Sequence, residues 1–175
     1  MTDGLSGYLL VASPLMLDPN FTRTVVLILQ HDDDGALGVV LNRPSDSPVS
    51  DHLPRWSQGS IEPATVFVGG PVSPEIGIGL AWRTGSGHGP LAGIEVFDLS
   101  SEDEEHEAVR VFAGYAGWGA GQLEAELEEP AWLVVPATPA EVFTARPDLL
   151  WGRVMRRIDP ELGVVATLPP DPSLN

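Results

Sequence analysis

The sequence predicts a single α+β domain, and three observations carry that reading. Short β-branched runs and helical stretches mix without the regular strand–helix–strand alternation of a doubly wound sheet. The 175 residues suit one core. Hydrophobic residues make up 43% and charged residues 19%, a globular balance.

Taken in order, Tyr8 to Ala12 reads as a buried strand, interrupted by Pro14 and an Asp18-Pro19-Asn20 turn. Thr24 to Leu29 is the clearest strand, rich in valine and isoleucine. Asp32-Asp33-Asp34-Gly35 turns the chain into a strand from Leu37 to Leu41, which suggests an antiparallel hairpin. Prolines 44, 48, 54 and 63 limit helices there to short pieces. Strands follow at Thr65 to Val68, Ile76 to Trp82 and Gly93 to Leu99, with a glycine-rich loop over 85–89. Acidic Ser101 to Glu107 opens a helix, since carboxylates complement a helix N-terminus. Val109 to Tyr115 is apolar and runs into glycines 114, 117, 119 and 121, read as a strand-to-helix corner. Gln122 to Glu129 forms a helix, Trp132 to Val135 a strand, and Thr138 to Phe143 and Asp148 to Ile158 two helices. Thr138 caps the first of these, with Pro139 at its first position. No repeat or interdomain linker divides residues 1–167, and the proline-rich stretch 168–175 reads as a flexible tail.

The formal charge is −16, from 25 acidic and 9 basic residues, and every basic residue is arginine. That balance argues against direct nucleic-acid binding, which needs cations against phosphates, and against anionic membrane surfaces. The absence of cysteine and lysine removes catalytic thiols, cysteine zinc sites, Schiff-base lysines and lysine-bearing P-loops. No basic residue precedes Arg23 and no apolar run is long enough to span a bilayer, so the expected location is the cytoplasm.

No motif calls for a cofactor. His31 with Asp32, Asp33 and Asp34 groups potential ligands, but lacks the spacing of a calcium loop and reads as a solvated turn; no metal is expected. There is no GxSxG elbow. Gly114 to Glu124 is the most distinctive segment. Its glycines and helix start offer free N–H groups to an anion, and Tyr115 and Trp118 offer rings to a pocket. The alternative is a packed corner beneath Trp118. Arg153, Arg156 and Arg157 share a helix face, for ion pairing or for an acidic partner. Arg23 and Arg43 flank opposite ends of the hairpin strands and can approach each other, around carboxylates or around an anionic ligand. The candidate ligand-binding residues are therefore Arg23, Asn42, Arg43, Tyr115, Trp118, Gln122 and Glu124, with no catalytic residue assigned.

Several of these segments together resemble one bacterial family. They are Gly7-Tyr8-Leu9-Leu10-Val11-Ala12-Ser13-Pro14, Phe21-Thr22-Arg23-Thr24, Leu41-Asn42-Arg43-Pro44, Phe67-Val68-Gly69-Gly70-Pro71, and Arg110 to Trp118 followed by Gly121-Gln122-Leu123-Glu124. In this order the chain resembles the AlgH-like (YqgE-like) family over about residues 5 to 157. The resemblance implies a mixed, largely antiparallel or bifurcated sheet with a small barrel-like part, flanked by helices, in a cytosolic bacterial protein. It also implies a regulatory role, without supplying a reaction.

Two functional expectations follow. The first is a non-enzymatic regulatory or binding module acting through a protein partner or small anionic ligand. The second is a small hydrolase or transferase for an anionic metabolite. There Arg23 and Arg43 would clamp the anion, and Glu124 would act as general base, provided both regions meet in one cleft.

Overall fold

Alternating side chains along the hydrophobic runs of the first three strands find apolar partners on both faces, which explains why those runs are continuous. In β1 (Tyr8–Ala12), β2 (Val25–Asp32) and β3 (Gly35–Val40), Leu9, Val11, Val25, Leu27 and Val39 enter one cluster. Leu10, Ala12, Val26, Ile28 and Val40 enter another on the opposite face. A strand covered on both faces needs no polar alternation. The structure is a computed structural model and describes residues 4–85, 87, 89–101, 106 and 108–165.

The chain continues through β4 (Pro44–Pro48), α1 (Val49–His52), α2 (Pro54–Ser57), β5 (Thr65–Val68), β6 (Val72–Trp82) and β7 (Ile94–Phe97). Then come β8 (Val109–Gly119), α3 (Gln122–Leu127), β9 (Trp132–Pro136), α4 (Pro139–Val142), α5 (Pro147–Ile158) and α6 (Leu162–Val165). Among the described residues nine strands form one open mixed sheet, ordered β4-β5-β8-β3-β2-β1-β9, with β6 and β7 branching from β8. The fold is a single α+β domain with a bifurcated sheet.

The fork lies in β8. Its first half is sandwiched between β5, parallel with Val66 opposite Val111, and β6, antiparallel with Gly79 opposite Val111. Its second half pairs with β3, Trp118 opposite Ala36. Gly114 sits at the change of partner with φ 75°, and a Cβ there would lie 2.6 Å from the Gly70 carbonyl. Glycine is the residue that accepts both constraints.

Most of the glycine series after Tyr115 is therefore strand, and the corner the sequence suggested is confined to the turn at Ala120 and Gly121. Gly117 and Gly119 continue an eleven-residue strand, because β3 supplies a hydrogen-bonding neighbour that local propensity does not reveal. β4 and α6 went unread, and β6 begins four residues earlier than expected. The acidic helix expected over 101–107 falls mostly on residues 102–105 and 107, outside the described residues, as does the stretch 168–175. Thr138 caps α4 as expected, its side chain accepting the Glu141 N–H. On α5, Leu150, Trp151, Val154 and Met155 pack into the first cluster, each burial worth about 1.5–3 kcal/mol.

Arg110 is the largest fully buried side chain, at 1% exposed. Its guanidinium donates to the carbonyls of Thr144 at 2.7 Å and Glu62 at 2.9 Å, and lies 4.6 Å from the Phe67 ring centroid. Burial pulls its pKa down to about 10.

Candidate functional site

The predicted site residues divide into two groups. At one end of β2 and β3, Asn42 locks the hairpin entrance. Its Oδ1 accepts the Val25 N–H at 3.0 Å and its Nδ2 donates to the Arg23 carbonyl at 2.9 Å. Arg23 adopts φ 56° there and sets its guanidinium 4.8 Å over the Trp151 ring. Arg43 turns elsewhere: it donates to the carbonyls of Asn20 at 2.5 Å and Pro19 at 3.1 Å, holding the turn that starts at Asp18. Burial lowers the Arg43 pKa, with Asp18 opposing the effect. Arg23 and Asn42 instead line a cleft of about 180 Å³ against α5, with Trp151 and Arg156.

At the other end, Trp118 is 6% exposed and packs on Phe21 and Trp132 at centroid distances of 6.2 and 6.5 Å. With Tyr115 it borders a shallow depression beside Asp32 and Asp34. Gln122 accepts the Gly119 N–H at 2.9 Å and donates to Glu126 at 3.1 Å, closing the strand-to-helix turn. The Glu124 carboxylate is engaged by His31 Nε2. His31 Nδ1 accepts the Leu5 N–H at 3.0 Å, so the ring proton of the neutral imidazole resides on Nε2.

These groups do not meet. Val25 lies beside Leu41 at one end of the hairpin, whereas His31 faces Ala36, which faces Trp118, at the other. The run from Val25 to His31 extends roughly 20 Å at about 3.3 Å per residue. An anion held by Arg23 is out of reach of Glu124, so the clamp-and-base arrangement is not assembled.

A second kind of cavity was not anticipated. A groove of about 610 Å³ crosses the β4-β5-β8-β6 half of the sheet. Strand register sets Val66 beside Val111, and places Ala113 between Val68 and Gly77, to form its apolar floor. Leu53 and Leu99 border it, and Val68 and Ile76 are 44% and 46% exposed. Its charged rim is acidic, with Glu75 and Asp98 and no arginine among the lining residues. The Asp98 carboxylate accepts the Ser100 hydroxyl at 2.7 Å and N–H at 2.9 Å, which keeps it below the ordinary carboxylate range. Five separate segments build this groove. The sequence showed strands over 65–68 and 76–82, with no local signal that joins them into one groove.

A model of the AlgH-like family matches residues 9–163. The chain belongs to the AlgH-like family. Its relatives include a UPF0301 protein of Streptomyces coelicolor, 48% identical over 98% of this chain and 95% of that protein. A UPF0301 protein of Thermobifida fusca is 45% identical over 98% and 96% of the two chains. Among solved structures, a Corynebacterium diphtheriae protein has a similar fold, with TM-score 0.84 and 30% identity over 95% of this chain and 94% of that one. The solution structure of the AlgH protein from Pseudomonas aeruginosa gives TM-score 0.71 and 32% identity, covering 94% of each chain. The AlgH-like segment spans the groove and the Arg23 cleft alike. No helix among the described residues is long and apolar enough to cross a membrane.

Proposed function

We propose that this AlgH-like protein is a non-enzymatic binding module of the bacterial cytoplasm that acts through a protein partner held in the groove over β5, β8 and β6. The observation that carries the reading is the groove itself: an apolar floor of protein-ligand size, with exposed Val68 and Ile76 and an acidic rim. Its chemistry selects an extended segment with apolar side chains and flanking lysine or arginine. An acidic segment meets Glu75 and Asp98 as like charges on a molecule of net charge −16. The separation of Arg23 from Glu124 supports the binding role over the hydrolase or transferase alternative.

The test uses fluorescein-labelled synthetic peptides alternating leucine with lysine, or leucine with glutamate, titrated by anisotropy. The lysine series is expected to bind and to shift the Val66, Val68 and Val111 methyl resonances. Val68→Glu and Ile76→Glu, both at exposed positions, are expected to weaken binding about tenfold or more, the loss of a buried apolar contact. Equal binding of both series, methyl shifts elsewhere, or turnover of a defined substrate by the pure protein would overturn the reading.

A further inference from the structure

We propose that His31 is a proton-operated latch on the N-terminal turn: a proton taken up by its ring releases residues 4–6 from the sheet, while the ring stays bound to Glu124. The proposal stands on residues that the groove does not use.

Residues 4–7 form a turn whose hold on the sheet is narrow. At Gly7 the backbone is already bonded in, donating to the Ile28 carbonyl at 2.7 Å and accepting the Ala137 N–H at 3.0 Å. Ahead of Gly7, the Leu5 carbonyl closes the turn onto the Tyr8 N–H at 2.9 Å. The Leu5 N–H reaches His31 Nδ1 at 3.0 Å. Gly4 lies directly against the ring, since a Cβ there would sit 2.5 Å from Nδ1. Leu5 also packs against the cluster that holds Ile28, Trp118 and Leu123, so the turn covers that end of the hairpin.

Both ring nitrogens are committed. Nε2 carries the proton and engages the Glu124 carboxylate, and Nδ1 offers the lone pair that accepts Leu5. A second proton goes to Nδ1, where it meets the Leu5 N–H donor to donor, and that bond is lost. Glu124 then faces a cation, and a charge-assisted bond is stronger than a neutral one. The proton thus trades the turn for a firmer hold on α3.

Among the described residues Glu124 is the one carboxylate within ion-pair distance of the ring; Asp33 and Asp34 of the hairpin turn are not. Asp32, next on β2, is taken up by the Asp34 N–H at 2.8 Å and the Gln30 amide at 3.2 Å. On α3, Glu126 is taken up by Gln122 at 3.1 Å and Trp132 at 3.4 Å. Ala36 on β3 and Trp118 on β8 bring no charge, and neither do residues 4–7. Docking of the turn and protonation of the ring therefore exclude each other. Histidine is the side chain suited to such a latch, because its charge ordinarily changes between about pH 5 and 8. One coupled proton lowers the docking equilibrium about tenfold per pH unit once the released ring titrates.

Hydrogen exchange of the full-length protein, followed by NMR from pH 7.5 to 5 and corrected for the intrinsic pH dependence of amide exchange, reads the latch at Leu5. Protection of the Leu5 amide is expected to fall about tenfold or more over that range, while Gly7, bonded to Ile28, keeps its protection. His31→Asn offers an acceptor that does not titrate, and its Leu5 protection is expected to stay level. Glu124→Gln removes the counter-charge of the imidazolium, so the fall is expected at lower pH. Leu5 protection that stays level in the native chain, that falls together with Gly7, that falls equally in His31→Asn, or that falls at the same pH in Glu124→Gln would overturn the proposal.

Discussion

His31 and Glu124 join across the end of the hairpin, one from β2 and the other from α3. The His31 ring also accepts the Leu5 N–H, so one side chain, 10% exposed, ties three segments together.

Replacing His31 by alanine strands the Leu5 N–H and frees α3 from β2. The expected loss is about 1–3 kcal/mol, the cost of a partly buried donor left without its partner. Glu124→Gln keeps an acceptor and is expected to cost less. Urea unfolding of both variants checks the order, and an equal or larger cost for Glu124→Gln would contradict it.

Arg110 bolts the loops at 61–62 and 144 to β8 through backbone carbonyls. Lysine cannot reproduce that fork, so Arg110→Lys is expected to destabilise by about 2–3 kcal/mol. The folded guanidinium, at about 10, loses its proton before the unfolded one does. Above that pH the unfolded chain binds more protons, so this group's contribution rises with pH; below it the contribution is flat. The stability gap between the native chain and Arg110→Met is therefore expected to hold constant from pH 6 to 9 and to widen in favour of the native chain above pH 10. Denaturation curves at pH 7, 9 and 10.5 read this directly.

Gly114→Ala forces a side chain into φ 75° and against the Gly70 carbonyl. A loss above about 2 kcal/mol is expected from strain alone. Gly117→Ala provides the comparison. Its nearest neighbour is the edge of the Tyr115 ring at 3.4 Å, an ordinary contact, so its melting temperature should fall much less.

Asp148 titrates below its ordinary 3.8 because Arg146 donates to its carboxylate. Its stabilising contribution is present above 3.8 and is lost as pH falls through the lowered folded value. Carboxyl ¹³C titration is expected to place the Asp148 midpoint below 3.8 and to move it back toward that value in Arg146→Gln. An unmoved midpoint would assign the shift to some other group.

The hairpin of β2 and β3 was legible because its signals are local: β-branched runs on either side of an acidic glycine turn. The cap of α4 was legible for the same reason. The partners of Arg43 were not, since the carbonyls of Pro19 and Asn20 become acceptors only after the Asp18 turn folds back on the strand. Trp118 read as a ring for a pocket, yet Phe21 and Trp132 cover it from distant parts of the chain. Arg156 read as part of a helical cationic face, and only the docking of α5 beside Asn42 sets it opposite Arg23. Residues that depend on a neighbour remote in sequence were the ones misplaced or missed, and the groove depends on five such segments.

The shared strand at the fork also governs how the molecule assembles. β8 completes neither half of the sheet until Val66 has found Val111 and Ala36 has found Trp118, pairings that close two long loops back to earlier strands. High contact order of this kind slows folding. It also leaves neither half-sheet able to persist alone, so unfolding should proceed as one cooperative transition with coincident loss of secondary and tertiary signals.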